Sequence, residues 1–238
     1  MILIIGGGTG GVGRSFIACC AVHYFSITRR ATVTIIDTDP ANPDVKEIYA
    51  NGHDTVIKEL LKMDVRNTWV EFANLIEKLH KRTQVFVLNT HALFNESLID
   101  HSGDFLKGIE DMLKRPNVTL YVLSTARDSV QAMEDYQQAF PNRHIHVILN
   151  GFWGPENSFS LYHESSVKRE IEAKGGRTIY FPKLDPNLVE EMFNKRTSFD
   201  KMLNGALLGT RLEIEGYLRE IDSIFNGLLG DDQLLYHK

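Results

Sequence analysis

The chain has 238 residues, of which 43% are apolar, 10% aromatic and 24% charged, ordinary values for a globular protein. Such a composition excludes a disordered chain, a collagen-like repeat and a disulfide scaffold. The formal charge of −5 provides no global attraction to nucleic acid or anionic lipid. No apolar run approaches the ~20 residues that a bilayer span needs.

Met1 to Ile5 is a short apolar run consistent with a buried parallel strand, too short for a signal-peptide core. Gly6 to Gly13 holds six glycines in eight positions. Ser15 to Phe25 (SFIACCAVHYF) is apolar nearly all round and fits a helix covered on more than one side. Cys19 and Cys20 are neighbours that diverge by about 100° on a helix. They read as small apolar fillers rather than a redox pair, in keeping with a reducing cytoplasm.

Ala31 to Asp37 is rich in β-branched residues and predicts a second strand, and the prolines within Thr38 to Pro43 predict a loop. Asp54 to Met63 and Trp69 to His80 have helical spacing. Gln84 to Leu88, Val118 to Leu123 and His144 to Leu149 read as strands, with a helix over Ser129 to Phe140. Val167 to Ala173 predicts a helix and Thr178 to Phe181 a short strand. Strands alternating with helices predict an α/β fold, a mostly parallel sheet with helices on both faces. Leu207, Ile214, Leu218, Ile221, Phe225 and Leu228 recur at helical spacings, so a long amphipathic C-terminal helix closes the fold. One domain over 1–229 and a flexible tail over 230–238 are expected.

GGGTGGVGRS is the most informative stretch. Glycine allows backbone to pass close to a ligand and to adopt positive φ. A helix starting just after the loop aims free N–H groups and its positive dipole end at one point, a geometry that binds phosphate. Gly8, Gly13, Arg14 and Ser15 fit G-x-x-x-x-G-K-S/T with arginine in the lysine position. Gly6, Gly8 and Gly11 also fit G-x-G-x-x-G, as do Gly8, Gly10 and Gly13. The loop alone therefore leaves a mononucleotide site and an NAD(P) site of extended short-chain dehydrogenase type both open.

Downstream residues favour the first. Asp37-Thr38-Asp39-Pro40 places two carboxylates at a strand's carboxyl end. One could serve a magnesium water shell and the other an attacking water. A dehydrogenase also needs a tyrosine followed by lysine four residues on; neither Tyr136 nor Tyr162 has one.

GTGGVGRS (Gly8 to Ser15) and IIDTDPANPDV resemble the deviant P-loop and second-strand segment of ParA/MinD-type ATPases. With DVRNTWVEFANLIEKL, VILNGFWGP, RTSFDKML and TRLEIEGYLREI, the chain is most similar to the TraL/StbB-like conjugal-transfer and plasmid-stability branch. The resemblance implies a P-loop NTPase fold of the SIMIBI type, binding ATP or ADP with Mg2+. The loop Gly8, Thr9, Gly10, Gly11, Val12, Gly13, Arg14, Ser15 and Phe16 would hold the nucleotide. Ser15 and Asp37 would serve the metal, Asp39 the hydrolytic water, and Asn150 the adenine edge. It further implies a cytoplasmic, nucleotide-linked homodimer working with other plasmid transfer or partition proteins, with non-specific DNA binding as an added possibility.

Three charges depart from that pattern. The family's cross-subunit lysine is Thr9, its phosphate lysine is Arg14, and the acid ending its next central strand is Asn89. Each removes or reshapes charge that hydrolysis uses, whereas binding rests on the loop backbone. Nucleotide binding with weak or absent hydrolysis is expected. His144 and His146 share a strand face and read as incidental, His91 sits at the sheet's carboxyl edge, and Trp69 and Trp153 read as packing residues. Lys168, Arg169, Lys174, Arg177 and Lys183 read as a solvated basic face.

Overall fold

The computed structural model describes residues 1–50, 55–61, 66–91 and 103–229. Its strands are β1 (Ile2–Gly6), β2 (Val33–Asp37), β3 (Val56–Leu60), β4 (Val85–Asn89), β5 (Asn117–Leu123), β6 (His144–Asn150) and β7 (Thr178–Phe181). Its helices are α1 (Arg14–His23), α2 (Asp44–Ile48), α3 (Arg66–Leu79), α4 (Gly103–Leu113), α5 (Arg127–Ala139), α6 (Ser160–Glu164), α7 (Ser166–Ala173), α8 (Pro186–Asn194), α9 (Phe199–Gly205) and α10 (Leu208–Leu229). The strands form one seven-stranded sheet in the order β3-β2-β4-β1-β5-β6-β7, and every pair is parallel.

Two apolar layers sandwich this sheet. Side chains alternate across a strand, and in β1 Leu3 and Ile5 enter one layer while Ile2 and Ile4 enter the other. The first layer holds α1, whose residues Phe16 to His23 are all buried, together with Ile214, Tyr217, Leu218, Ile221 and Phe225 of α10. The second holds Trp69, Phe72 and Ile76 of α3, Leu106 and Ile109 of α4, and Met133 and Tyr136 of α5. Each fully buried side chain of this size contributes about 1.5–3 kcal/mol. Cys19 and Cys20 are buried, unpaired fillers, and burial pushes both thiols up.

The parallel sheet, the covering helices and the long C-terminal helix agree with the sequence pattern. Three details differ. The helix predicted over Asp54–Met63 gives way to strand β3, because Val56 to Leu60 extend against β2 in register from Val33↔Val56 to Asp37↔Leu60; Asp54, Lys62 and Met63 lie outside the described residues. Leu207 precedes α10 and is 84% exposed, so the apolar stripe begins at Ile214. Trp69 is fully buried as expected, but Trp153 is 40% exposed and meets Phe152 edge-on. The tail over 230–238 lies outside the described residues.

His144 and His146 do share a strand face, with ring centroids 4.6 Å apart. The Nδ1 of His146 is occupied, accepting the backbone N–H of Arg177 at 3.1 Å. Burial, reinforced by His144 and Arg177, pushes His146 down to about 4. Its imidazole is therefore neutral when folded but titrates near 6.5 when unfolded. The linked stability is intact above pH 6.5 and is lost progressively as pH falls toward 4, with a slope of up to about 1.4 kcal/mol per pH unit. Urea denaturation of the parent and of His146→Gln between pH 7 and pH 4 should show this contribution as the difference between the two curves, the variant losing less stability as pH falls.

Candidate functional site

The carboxyl edge of the sheet carries a cleft of about 430 Å³. The strand order sets its centre. Because β4 lies between β1 and β2, Asn89 is in register with both Ile5 and Asp37. Two strands beyond β1, Asn150 ends β6 in register with Phe181 of β7. A dinucleotide-binding sheet puts its second strand directly beside the first; here β4 separates them, and this removes the dehydrogenase-type reading of the glycine loop.

The loop between β1 and α1 is braced from behind. Arg14 turns its guanidinium back into the protein: Nη1 donates to the carbonyls of Gly7 and Thr9 at 2.5 and 2.8 Å, and Nε donates to Thr90 O at 2.9 Å. Asn150 Nδ2 donates to Val12 O at 2.8 Å, while its Oδ1 accepts the N–H of Phe152 at 3.1 Å. The N–H of Ile17 bonds to Gly13 O at 3.1 Å. In a planar trans peptide, C=O and the following N–H point in opposite directions. Carbonyls of Gly7, Thr9 and Val12 held inward therefore aim the N–H groups of Gly8, Gly10 and Gly13 away from their braces. This row of donors, ahead of the positive end of α1, suits an anion.

Glycine is required at specific points. Gly11 and Gly13 have φ of +75° and +101°. A Cβ on Gly13 would also lie 2.3 Å from Asn150 Nδ2, whereas one on Gly10 would meet nothing within 4 Å. Gly11, Gly13, Arg14, Ser15 and Phe16 line the cleft, as do Asp39 and Asn150. Val12 is a core side chain that contributes only its carbonyl to the loop, and Phe16 packs on Phe199 and Tyr217 with centroids 6.2 and 6.0 Å away. Gly8, Thr9 and Gly10 belong to the loop but not to the cleft wall.

The carboxylates have local duties. Asp37 is fully buried and lies behind the cleft wall. Its Oδ2 accepts the N–H groups of Val45 and Lys46 at 3.1 and 3.3 Å, and Oδ1 accepts Asn89 Nδ2 at 3.1 Å. Burial pushes its carboxyl up to about 6 against the pull of these hydrogen bonds. Asp39 faces the cleft, but its Oδ1 closes a turn onto the N–H groups of Ala41 and Asn42 at 3.0 and 3.1 Å. Asp44, also in the wall, pairs with Arg196, which reaches Glu47 at 2.9 Å as well.

The Mg2+ implied by the family resemblance meets a poor donor set here. Asn89 Nδ2 lies 3.3 Å from Ser15 Oγ and 3.1 Å from Asp37 Oδ1, so amide hydrogens point at both oxygens that would face a metal. Among the described residues, no group of three or more His, Cys, Asp or Glu side chains is arranged to hold an ion.

Several site residues carry no sequence signal. Phe152 forms part of the cleft wall and is 59% exposed. Thr90 joins β4 to β1 by donating its hydroxyl to Ile5 O at 2.7 Å. Lys183 leaves the supposed basic face and lines the cleft. Arg177 donates to Gly227 O at 2.6 Å, and Lys168 pairs with Glu172 at 3.9 Å. His91 is at the cleft as its position implied, with Nδ1 3.1 Å from the Thr38 hydroxyl.

Sheet order, glycine loop and cleft together define the ParA/MinD type of P-loop fold. A plasmid partition protein of Borrelia burgdorferi bound to AMPPNP superposes with a TM-score of 0.60 at 13% identity, over 96% of this chain and 99% of that one. The cell-division protein MinD of Aquifex aeolicus gives 0.56 at 12% identity, over 93% and 97%. Both show a shared fold. No protein-family model matches the chain. Protein MobD of Acidithiobacillus ferrooxidans is 32% identical over 228 residues, 96% of this chain and 97% of that protein, and the chain belongs to the MobD family. No described helix is long and apolar enough to cross a membrane.

Gly13→Ala should cost more than about 1 kcal/mol in urea denaturation, since it combines a positive φ with contact against Asn150. Gly10→Ala, with open space at its Cβ, should stay within about 0.5 kcal/mol of the parent.

Proposed function

We propose that this protein binds a nucleoside triphosphate of the ATP class in the cleft and acts as a nucleotide-dependent switch in plasmid mobilisation, transfer or partition. The observation that carries the reading is the braced loop: three inward carbonyls at Gly7, Thr9 and Val12 present outward N–H groups beside a cleft large enough for a mononucleotide. The full-length likeness to MobD supports the mobilisation setting, and the AMPPNP complex of the Borrelia relative supports the ligand class. The loop qualifies as a deviant Walker A motif with arginine for lysine.

Hydrolysis is weak or absent in this reading. Arg14 spends its three observed hydrogen bonds on backbone carbonyls, Thr9 lacks the family's cross-subunit cation, and Asn89 lacks negative charge. Asp39 remains the candidate to orient a water, because it alone of the Asp37–Asp39 pair faces the cleft. Phe152 on the wall offers a face for the base, and the amide of Asn150 is committed to the loop on one N–H and to Phe152 on its oxygen. Residues 1–229 form the working unit, pairing with a second copy when nucleotide is bound, in the cytoplasm and with plasmid transfer or partition proteins as partners.

A thermal-shift panel of ATP, ADP, GTP, NADH and NADPH tests this. An adenine nucleotide at 100 times its Kd should add about 2.7 kcal/mol, several degrees in Tm, and nicotinamide compounds should add nothing. Phosphate release should stay near the protein-free rate. Stabilisation by NADH but not ATP, or brisk release, defeats the reading. Sedimentation with and without ATP tests pairing.

A further inference from the structure

Resting on the nucleotide reading above, we infer that this chain binds its nucleotide without a divalent cation, the Asn89 amide nitrogen standing where a cation would bridge Ser15 and Asp37.

The geometry starts from the sheet. Asn89 ends β4 in register with Ile5 on one side and Asp37 on the other, so its side chain emerges between the glycine loop and the carboxylate. It is 2% exposed. Its Nδ2 carries two hydrogens, and two acceptors lie within reach: Ser15 Oγ at 3.3 Å and Asp37 Oδ1 at 3.1 Å. Ser15 Oγ as a ligand and Asp37 as a holder of the water shell would each have to turn these same oxygens toward a metal. Each oxygen keeps a second lone pair, but the two amide hydrogens fill the space between Ser15 Oγ and Asp37 Oδ1, where a cation would meet them at repulsive distance, so the amide and a cation lying between these oxygens are alternatives.

The orientation of the amide is fixed by its neighbour. Reversal would set Asn89 Oδ1 against Asp37 Oδ1, two acceptors facing each other at the distance the nitrogen now holds. Nitrogen-inward is therefore enforced, and Oδ1 is left buried with no hydrogen-bond partner. That orphan marks how strongly the Asp37 contact decides the arrangement, since an unmade buried hydrogen bond is costly. The remaining oxygen of Asp37 is held by Val45 and Lys46, and Asp44 is held by Arg196. Charge balance for a bound triphosphate then falls to loop N–H groups, the α1 dipole and the Lys183 ammonium in the cleft wall.

The test compares ATP binding by calorimetry in excess EDTA and in millimolar MgCl2, for the parent protein and Asn89→Asp. The parent should bind with affinities within about twofold in the two buffers. Asn89→Asp removes the N–H donors and adds a carboxylate, so it should bind at least about tenfold more tightly with Mg2+ than with EDTA. Parent binding that is tenfold tighter with Mg2+ overturns the inference and leaves the nucleotide reading standing. No binding to the parent in either buffer defeats the nucleotide reading itself. A variant with no Mg2+ dependence overturns the assignment of metal exclusion to Asn89, and the parent comparison holds whether or not the variant folds.

Discussion

The site depends on which way the peptide groups of the glycine loop face. A glycine-rich segment has no intrinsic preference between presenting C=O or N–H to a neighbour. Two side chains from distant points impose one: Arg14, at the start of α1, holds the carbonyls of Gly7 and Thr9, and Asn150, at the end of β6, holds that of Val12. Thr90 ties the brace to the sheet by accepting from Arg14 and donating to Ile5. The loop is thus ordered by the protein's own side chains, an arrangement that would lower the ordering cost of any ligand bound there. Close packing of Asn150 against Gly13 explains why that position excludes any Cβ.

This bracing also redistributes charge. Arginine suits the role because its planar fork can serve several carbonyls at once, which a lysine ammonium on a flexible stem does less well. A cation committed to the loop's inner side is a structural element, and burial lowers the affinity of Arg14 for its proton. Asp37 shows the same shift of purpose. Its carboxylate bonds the first free N–H groups of α2 and the Asn89 amide, so it joins β2, α2 and β4. Both charged groups hold the loop and the carboxyl ends of the strands in place.

Much of the fold was legible because it follows from local periodicity. Buried strands such as Ile2–Gly6 and Val85–Asn89 are continuous apolar runs, and α10 shows its stripe from Ile214 onward. β3 was not legible, since an edge strand is covered on fewer sides and VIKEL mixes charge with apolar residues as a surface helix does. At the site, the loop and the DTDP segment were readable as chemistry-bearing residues because both are local in sequence. Their partners were not. Arg14 to Thr90 spans 76 positions and Asn150 to Val12 spans 138, and no pattern in a single sequence connects such pairs.

The distinction between fold and chemistry follows from these long-range pairs. Parallel strands with the order β3-β2-β4-β1-β5 bring the ends of β1, β2 and β4 together whatever residues occupy them. The fold therefore brings these strand ends to the glycine loop, and the residue at the end of β4 sets the charge between them. An acid at Asn89 would place a second negative group 3.1 Å from a carboxylate that burial already makes reluctant to ionise. Such a pair needs a cation between its members to remain charged. An amide needs none, since it donates a hydrogen where the acid would require a metal. In the proposed reading, a neutral residue at the carboxyl end of β4 leaves the loop backbone able to cradle a phosphate chain and withholds the charge that metal-assisted cleavage of it would use.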